Sequence, residues 1–225
     1  MTSKNNTPLL VAIDGPAGVG KSTLARRLAA KLGIACLDTG AMFRTVALHI
    51  GESGLTLPAD ELLSALHSLT FSLAGSGSAT RLACNGKHAG QEIRTEKIGM
   101  LASQFAAIPA VRAYLKNAQQ RLGENFSLVA EGRDMGSEIF PQATVKFFLD
   151  ASAEVRARRR RDQLASAGIS QDIAELAEQI RQRDARDRNR DVAPLRPADD
   201  AIIIDTSRLN IEEALALMLA ACSAL

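Results

Sequence analysis

"LLVAIDGPAGVGKSTLARRLAAKLG", Leu9 to Gly33, decides how the chain is built. It opens on a short apolar run that ends at Asp14. A continuous run, rather than an alternating one, suits a strand covered on both faces. It closes on "KSTLARRLAAKLG", a helical pattern that stops at a glycine, as helices commonly do. Between the two stand Gly15, four residues, and then Gly20-Lys21-Ser22. Glycines at this spacing let the backbone turn tightly enough for successive N–H groups to face an anion. Lys21 is then placed to reach the β and γ phosphates of a nucleotide, and Ser22 to offer its hydroxyl to Mg²⁺. The start of the helix adds its positive end to the same place. The expected ATP cradle is therefore Gly15, Pro16, Ala17, Gly18, Val19, Gly20, Lys21, Ser22 and Thr23.

Four further apolar runs follow: "IACLD" at 34–38, "SLVAE" at 127–131, "VKFFLD" at 145–150 and "AIIID" at 201–205. Helical patterns alternate with them. That order predicts an α/β fold, a doubly wound parallel sheet of five strands of the P-loop NTPase kind. Each run meets an acid at its carboxyl end, where such sheets bind ligands. Residues 69–93 break the rhythm: they are rich in Gly and Ser, and Asn85-Gly86 between strand-like stretches signals a hairpin. They read as a small β-rich insert, with residues 1–68 and 94–225 as the core. Ala151–Leu164 and Ile173–Asn189 read as two helices joined by "ASAGIS", an arginine-lined hairpin or lid at about 151–190.

With 225 residues, 46% of them hydrophobic, the chain suits one folded domain with a modest insertion. Its formal net charge is only +2, which argues against a general grip on nucleic acid. Cys36, Cys84 and Cys222 lack paired spacing and fit free thiols in the cytoplasm. The polar start lacks the apolar core of a signal peptide. "IEEALALMLAACSAL" is too short to span a bilayer. His49, His67 and His88 stand at no metal-ligand spacing. No membrane or nucleic-acid partner is expected, and the chain is expected to be a monomer.

Charge is nonetheless concentrated: ten of the 27 Lys and Arg residues lie between Arg156 and Arg190. Arginine meets phosphate bidentately and keeps its charge. A kinase that holds two mutually repelling anions needs such groups. In "RQRDARDRNR", Arg183, Arg186, Asp187 and Arg190 would share one helix face, with Arg181 and Arg188 on the other. Among "RARRRR" at 156–161, one or two arginines are expected on phosphate, Arg160 on ATP, and the rest in water. "DTGAMFR" and "EGRDMG" follow the second and third of the five runs, so Arg44 and Arg133 fall beside the cradle, placed for an acceptor's phosphate. A small kinase fits best. A kinase of another small acceptor and a nucleic-acid-binding ATPase stay open on this reading.

"IDGPAGVGKST", "LDTGAMFR", "GQEIRT", "SQFAAIPAVR", "AEGRDMGSEIFP", "KFFLDAS" and "RDARDRNRDVAPL" together resemble bacterial cytidylate kinase, of the nucleoside monophosphate kinase group. The resemblance covers nearly the whole chain. It implies transfer of the γ-phosphoryl group of ATP to CMP or dCMP, giving ADP with CDP or dCDP, with Mg²⁺ as cofactor. It also implies that Thr39 and Asp134 accept from the cytosine amino group and that Arg112 and Arg190 donate to the ring nitrogen and carbonyl. Ser103, Arg183 and Asp187 would hold the ribose hydroxyls, and Arg44 and Arg133 the acceptor phosphate. Lys21, Arg133, Arg183, Asp187 and Arg190 would serve catalysis. Thr39, Phe43 and Glu131 stand where the family pattern has Ser, Tyr and Asp.

Overall fold

Val11, Ala12 and Ile13 are buried, and so are Phe147, Phe148 and Leu149. Two adjacent apolar runs of this kind form neighbouring central strands because both of their faces must be covered. The computed structural model describes residues 8–166, 168–190 and 192–223. Along the chain these form β1 (Leu10–Asp14), α1 (Lys21–Leu32), β2 (Ala35–Asp38), α2 (Thr39–Ile50), α3 (Ala59–His67), β3 (Phe71–Ala74), β4 (Arg81–Cys84), β5 (Lys87–His88), α4 (Glu96–Phe105) and α5 (Pro109–Asn125). Then come β6 (Leu128–Glu131), β7 (Val145–Asp150), α6 (Ala153–Ala165), α7 (Ile173–Arg188), β8 (Ile202–Asp205) and α8 (Ile211–Ser223).

The expected five-stranded sheet forms, in the order β2-β6-β1-β7-β8. Because β1 lies inside it and strand order reverses there, the loop after β1 opens at the switch point where doubly wound sheets bind ligands. Parallel register pairs Val11 with Val145 and Asp14 with Phe148. It also pairs Phe147 with Ile202 and Asp150 with Asp205. The last pairing reveals a departure: Ile202 and Ile203 are exposed, since β8 is an edge strand.

Two compact units divide the described residues. One comprises residues 8–10 and Ala29–Ala130. In it, Asp38 caps α2 by accepting from Ala41 N at 2.9 Å, and Pro109 starts α5, where its missing N–H costs nothing. The antiparallel sheet β3-β4-β5 lies within residues 69–93. Asn85 and Gly86 both take positive φ, 50° and 76°, so the Asn-Gly hairpin forms as its chemistry requires. Phe105 and Leu66 are wholly buried.

The other unit comprises Val11–Leu28 and residues 131–223. Ser152 caps α6, and Asp172 caps α7 by accepting from Ala174 N and Glu175 N. These helices pack through a thin seam of buried Ala157, Leu176 and Ala177. Before α8, Asn210 and Glu213 form a reciprocal capping box, Asn210 Oδ1 accepting from Glu213 N at 3.0 Å and Glu213 Oε2 from Asn210 N at 2.8 Å.

Phe105→Ala should lower unfolding free energy by about 3–5 kcal/mol, the usual cost of emptying a buried aromatic site. Urea denaturation measures it. A loss below about 1 kcal/mol would contradict the packing described for α4.

Candidate active site

The loop from Gly15 to Gly20 cannot be built from ordinary residues. Gly15 takes φ +143°, and a Cβ there would sit 2.1 Å from the Leu149 carbonyl oxygen. Gly18 and Gly20 also have positive φ, +83° and +96°. α1 begins directly at Lys21, and Thr23 N and Leu24 N already donate to Gly20 O. Lys21 is buried, and its Nζ donates to Gly15 O at 2.8 Å and Pro16 O at 2.7 Å. Burial, then the positive charge of Arg133 and of Arg183, hold its pKa well below the ordinary lysine value, against the opposing pull of Glu131 and Asp14. Lys21, Arg133 and Arg183 thus lie within electrostatic reach of one another. Such a group of cations is a place for a polyanion.

Asp14 ends β1 and is buried. Its carboxylate accepts from Met135 N and Gly136 N, both at 2.8 Å. It thereby clamps the turn that carries Arg133 and Asp134. Burial raises its pKa to about 6, with those two N–H bonds working the other way. Arg133 Nε donates to Asp187 Oδ2 at 3.0 Å, which joins that turn to α7. Past α7 the chain folds back: Leu195 N donates to Asp187 O at 2.8 Å and Arg190 Nε donates to Ala193 O. Arg190 therefore does not continue a helical stripe from Arg183. α7 ends at Arg188 because Asn189, at φ −101° and ψ 8°, leaves helical geometry. Asp134 is buried, and Arg183 is exposed.

In the other unit, Thr39 is buried in the first turn of α2. Arg44, farther along α2, donates through Nη1 to Ile93 O at 3.1 Å and Thr95 O at 3.3 Å. A Cβ on Gly99 would come within 3.0 Å of both its Nη atoms, so glycine leaves room for the guanidinium. Ser103 is exposed on α4, which packs on α2. Arg112 is half-buried, with Nη1 3.5 Å from Ala106 O.

The arginine run of α6 separates by function. Arg160 is exposed and donates to Gln163 Oε1 at 2.9 Å. Arg159 binds Thr206 through Oγ1 at 3.2 Å and the carbonyl at 2.6 Å. Arg156 is buried against Asp184. Sequence reasoning passed over Asp14, Arg156 and Asp184. An acid closing the apolar run just before the glycine loop was the available signal for Asp14; nothing in "RARRRR" distinguishes the arginine that turns inward.

Among the described residues, no group of three His, Cys, Asp or Glu side chains could hold a metal ion. Ser22, half-buried in the first turn of α1, offers a single hard oxygen. That suits Mg²⁺, which keeps waters and substrate phosphates instead of a protein cage.

Asp14 gives a pH signature. Its pKa rises from 3.8 to about 6 on folding, so between those values the folded protein holds a proton that the unfolded chain has released. Stability should fall by about 3 kcal/mol as pH rises through that window, then level off above it. Asp14→Asn should lack this slope in urea titrations across about pH 4 to 7. An identical slope in both proteins would contradict the assignment.

The family model described as cytidylate kinase matches residues 11–224. A cytidylate kinase of Maridesulfovibrio salexigens is 59% identical over 206 residues, covering 92% of each chain. One from Oleidesulfovibrio alaskensis is 56% identical over 204 residues, covering 91% of this chain and 93% of that one. One from Fervidobacterium nodosum is 50% identical over 203 residues, covering 90% and 91%. The crystal structure of an uncharacterized protein from Eubacterium ventriosum shares the fold, with a TM-score of 0.53 at 15% identity and coverage of 96% and 99%. A match running from β1 into α8, beside relatives at least half identical over nine-tenths of their length, makes this chain a member of the cytidylate kinase family.

Proposed function

We propose that the chain transfers the γ-phosphoryl group of ATP to CMP and dCMP, supplying CDP and dCDP for pyrimidine nucleotide metabolism. The single observation that carries the reading is the set of cations around the glycine loop: Lys21 buried, with Arg133 and Arg183 both acting on its charge. Such mutual repulsion is relieved by bound phosphate. Family membership supplies the acceptor class.

ATP phosphates take N–H groups of the glycine loop and the start of α1, Pro16 having none to give, and Lys21 leaves the Gly15 and Pro16 carbonyls for the β and γ phosphates. Mg²⁺, held by ATP and the Ser22 hydroxyl, neutralises phosphate charge when bound. Arg44 and Arg133 take the acceptor phosphate. Thr39 and Asp134 accept from the cytosine amino group, Arg112 and Arg190 donate to the ring, and Ser103, Arg183 and Asp187 hold the ribose. The Arg133–Asp187 bond supports this reading, because it ties a phosphate ligand to a ribose ligand. Uracil would reverse a donor and an acceptor and leave buried groups unpaired. Glu131, buried near Lys21, favours its charged form and offsets part of the opposition to it. No strong general base is needed, because the acceptor phosphate is already anionic.

Residues 69–93 would form the monophosphate-binding insert. The α6–α7 hairpin would form a lid whose arginines, Arg160 among them, close over ATP and exclude water. A cytoplasmic location fits the free cysteines, and the chain is read as a monomer. No single helix among the described residues is long and apolar enough to cross a membrane.

An acceptor panel of CMP, dCMP, UMP, AMP and shikimate with ATP·Mg²⁺ tests the reading. CMP and dCMP should be phosphorylated fastest; a preference for shikimate or AMP would overturn it. Lys21→Ala should cut turnover at least about a hundredfold in a coupled ADP-release assay. Near-normal turnover would refute its role. Asp134→Ala should lower the CMP-to-UMP ratio of kcat/KM values about tenfold or more, the scale of one lost buried hydrogen bond to a charged group. An unchanged ratio would remove Asp134 from base recognition.

A further inference from the structure

Arg156, one of the five α6 arginines among which sequence does not choose, is 3% exposed. Its donors are distributed over three separate parts of the unit. Nε donates to Ala151 O, just past β7, at 2.9 Å. Nη1 donates to Ala17 O in the glycine loop at 3.2 Å and to Asp184 Oδ1 on α7 at 2.9 Å. Nη2 donates to Asp184 Oδ2, completing a bidentate pair. The aliphatic stem lies under the loop, since a Cβ on Gly18 would meet Arg156 Cβ at 3.4 Å.

The bond to Ala17 fixes more than a carbonyl. No described peptide bond is cis. In a trans peptide the carbonyl of one residue and the N–H of the next point in opposite directions. Turning Ala17 O toward Arg156 therefore turns Gly18 N–H the other way, to the side of the loop away from the buried arginine. That is the orientation a phosphate-binding donor needs, and it is set before any ligand arrives. Asp184 in turn holds the guanidinium in the one plane that serves both Ala17 and Ala151.

We propose that Arg156 is a positioning residue for ATP: it presets the Ala17–Gly18 peptide for phosphate, and Asp184 acts on ATP only through Arg156. The inference rests on the glycine loop being the ATP cradle, as proposed above, and goes beyond it by assigning two residues that touch no nucleotide. A lysine at 156 keeps the charge but cannot make the fork, and an asparagine at 184 keeps the shape but loses the second acceptor oxygen.

Calorimetric titration of the whole protein with ATP·Mg²⁺ tests it, with Tm recorded for each variant. Arg156→Lys and Asp184→Asn should each weaken ATP about tenfold, as expected for losing one well-placed donor to a charged group. The double variant should be no weaker than the weaker single, because both act along one chain of contacts. KM for CMP should stay within about twofold, which a general loss of structure would not allow. Wild-type ATP affinity in Asp184→Asn, or additive losses in the double variant, would overturn the proposal. If Arg156→Lys does not fold, Asp184→Asn decides alone. ATP binding is read without an acceptor, so failure of the acceptor panel would appear separately from failure here.

Discussion

Like charges at the end of β1 impose the constraint on which the rest of the site depends. Lys21 is buried with Arg133 and Arg183 acting against its charge, while Glu131 and Asp14 supply only part of the balance. The lysine turns back on its own loop, donating to Gly15 O and Pro16 O. Those two bonds occupy its donors with neutral carbonyls, which do not cancel its charge. A polyphosphate would do both, and no uncharged ligand could.

The fold holds this arrangement through backbone contacts more than through ion pairs. Gly15 lies so close to Leu149 O that only a residue without Cβ can stand there, which fixes the loop to β7. Asp14 binds two successive N–H groups of the turn after β6, and so sets the loop and the Arg133 turn from one carboxylate. Arg133 then reaches α7 through Asp187, and α7 reaches the loop again through Asp184 and Arg156. The circuit closes within one unit. Asp14, Arg156 and Asp184 within it are buried, which makes a missing partner costly.

Much of this is legible in the sequence. The five apolar runs became five strands because uninterrupted hydrophobicity with an acid at the end has few other uses. The glycine spacing located the loop, and Asn85-Gly86 located a hairpin, because both depend on local backbone chemistry. What sequence did not reveal depends on contacts distant along the chain. Five arginines between 156 and 161 look alike as text; only packing against Asp184 and Ala17 singles out Arg156. Helical spacing put Arg190 in line with Arg183, but the helix stops at Arg188. Hydropathy made "AIIID" a buried strand, and its position at the sheet edge left Ile203 exposed. Arg44 on α2 followed from its place after the second run, whereas Thr39, Ser103 and Arg112 were proposed from resemblance alone, since they carry no local pattern of their own.

The measurement closest to the central claim is the titration of the Lys21 ammonium by NMR, with and without ATP. In the free protein its pKa should lie well below that of an ordinary lysine, because burial and two guanidinium groups oppose its charge. With ATP bound it should rise, since phosphate reverses the sign of the local field. An ordinary value in the free protein, or one that ATP leaves unchanged, would contradict the account.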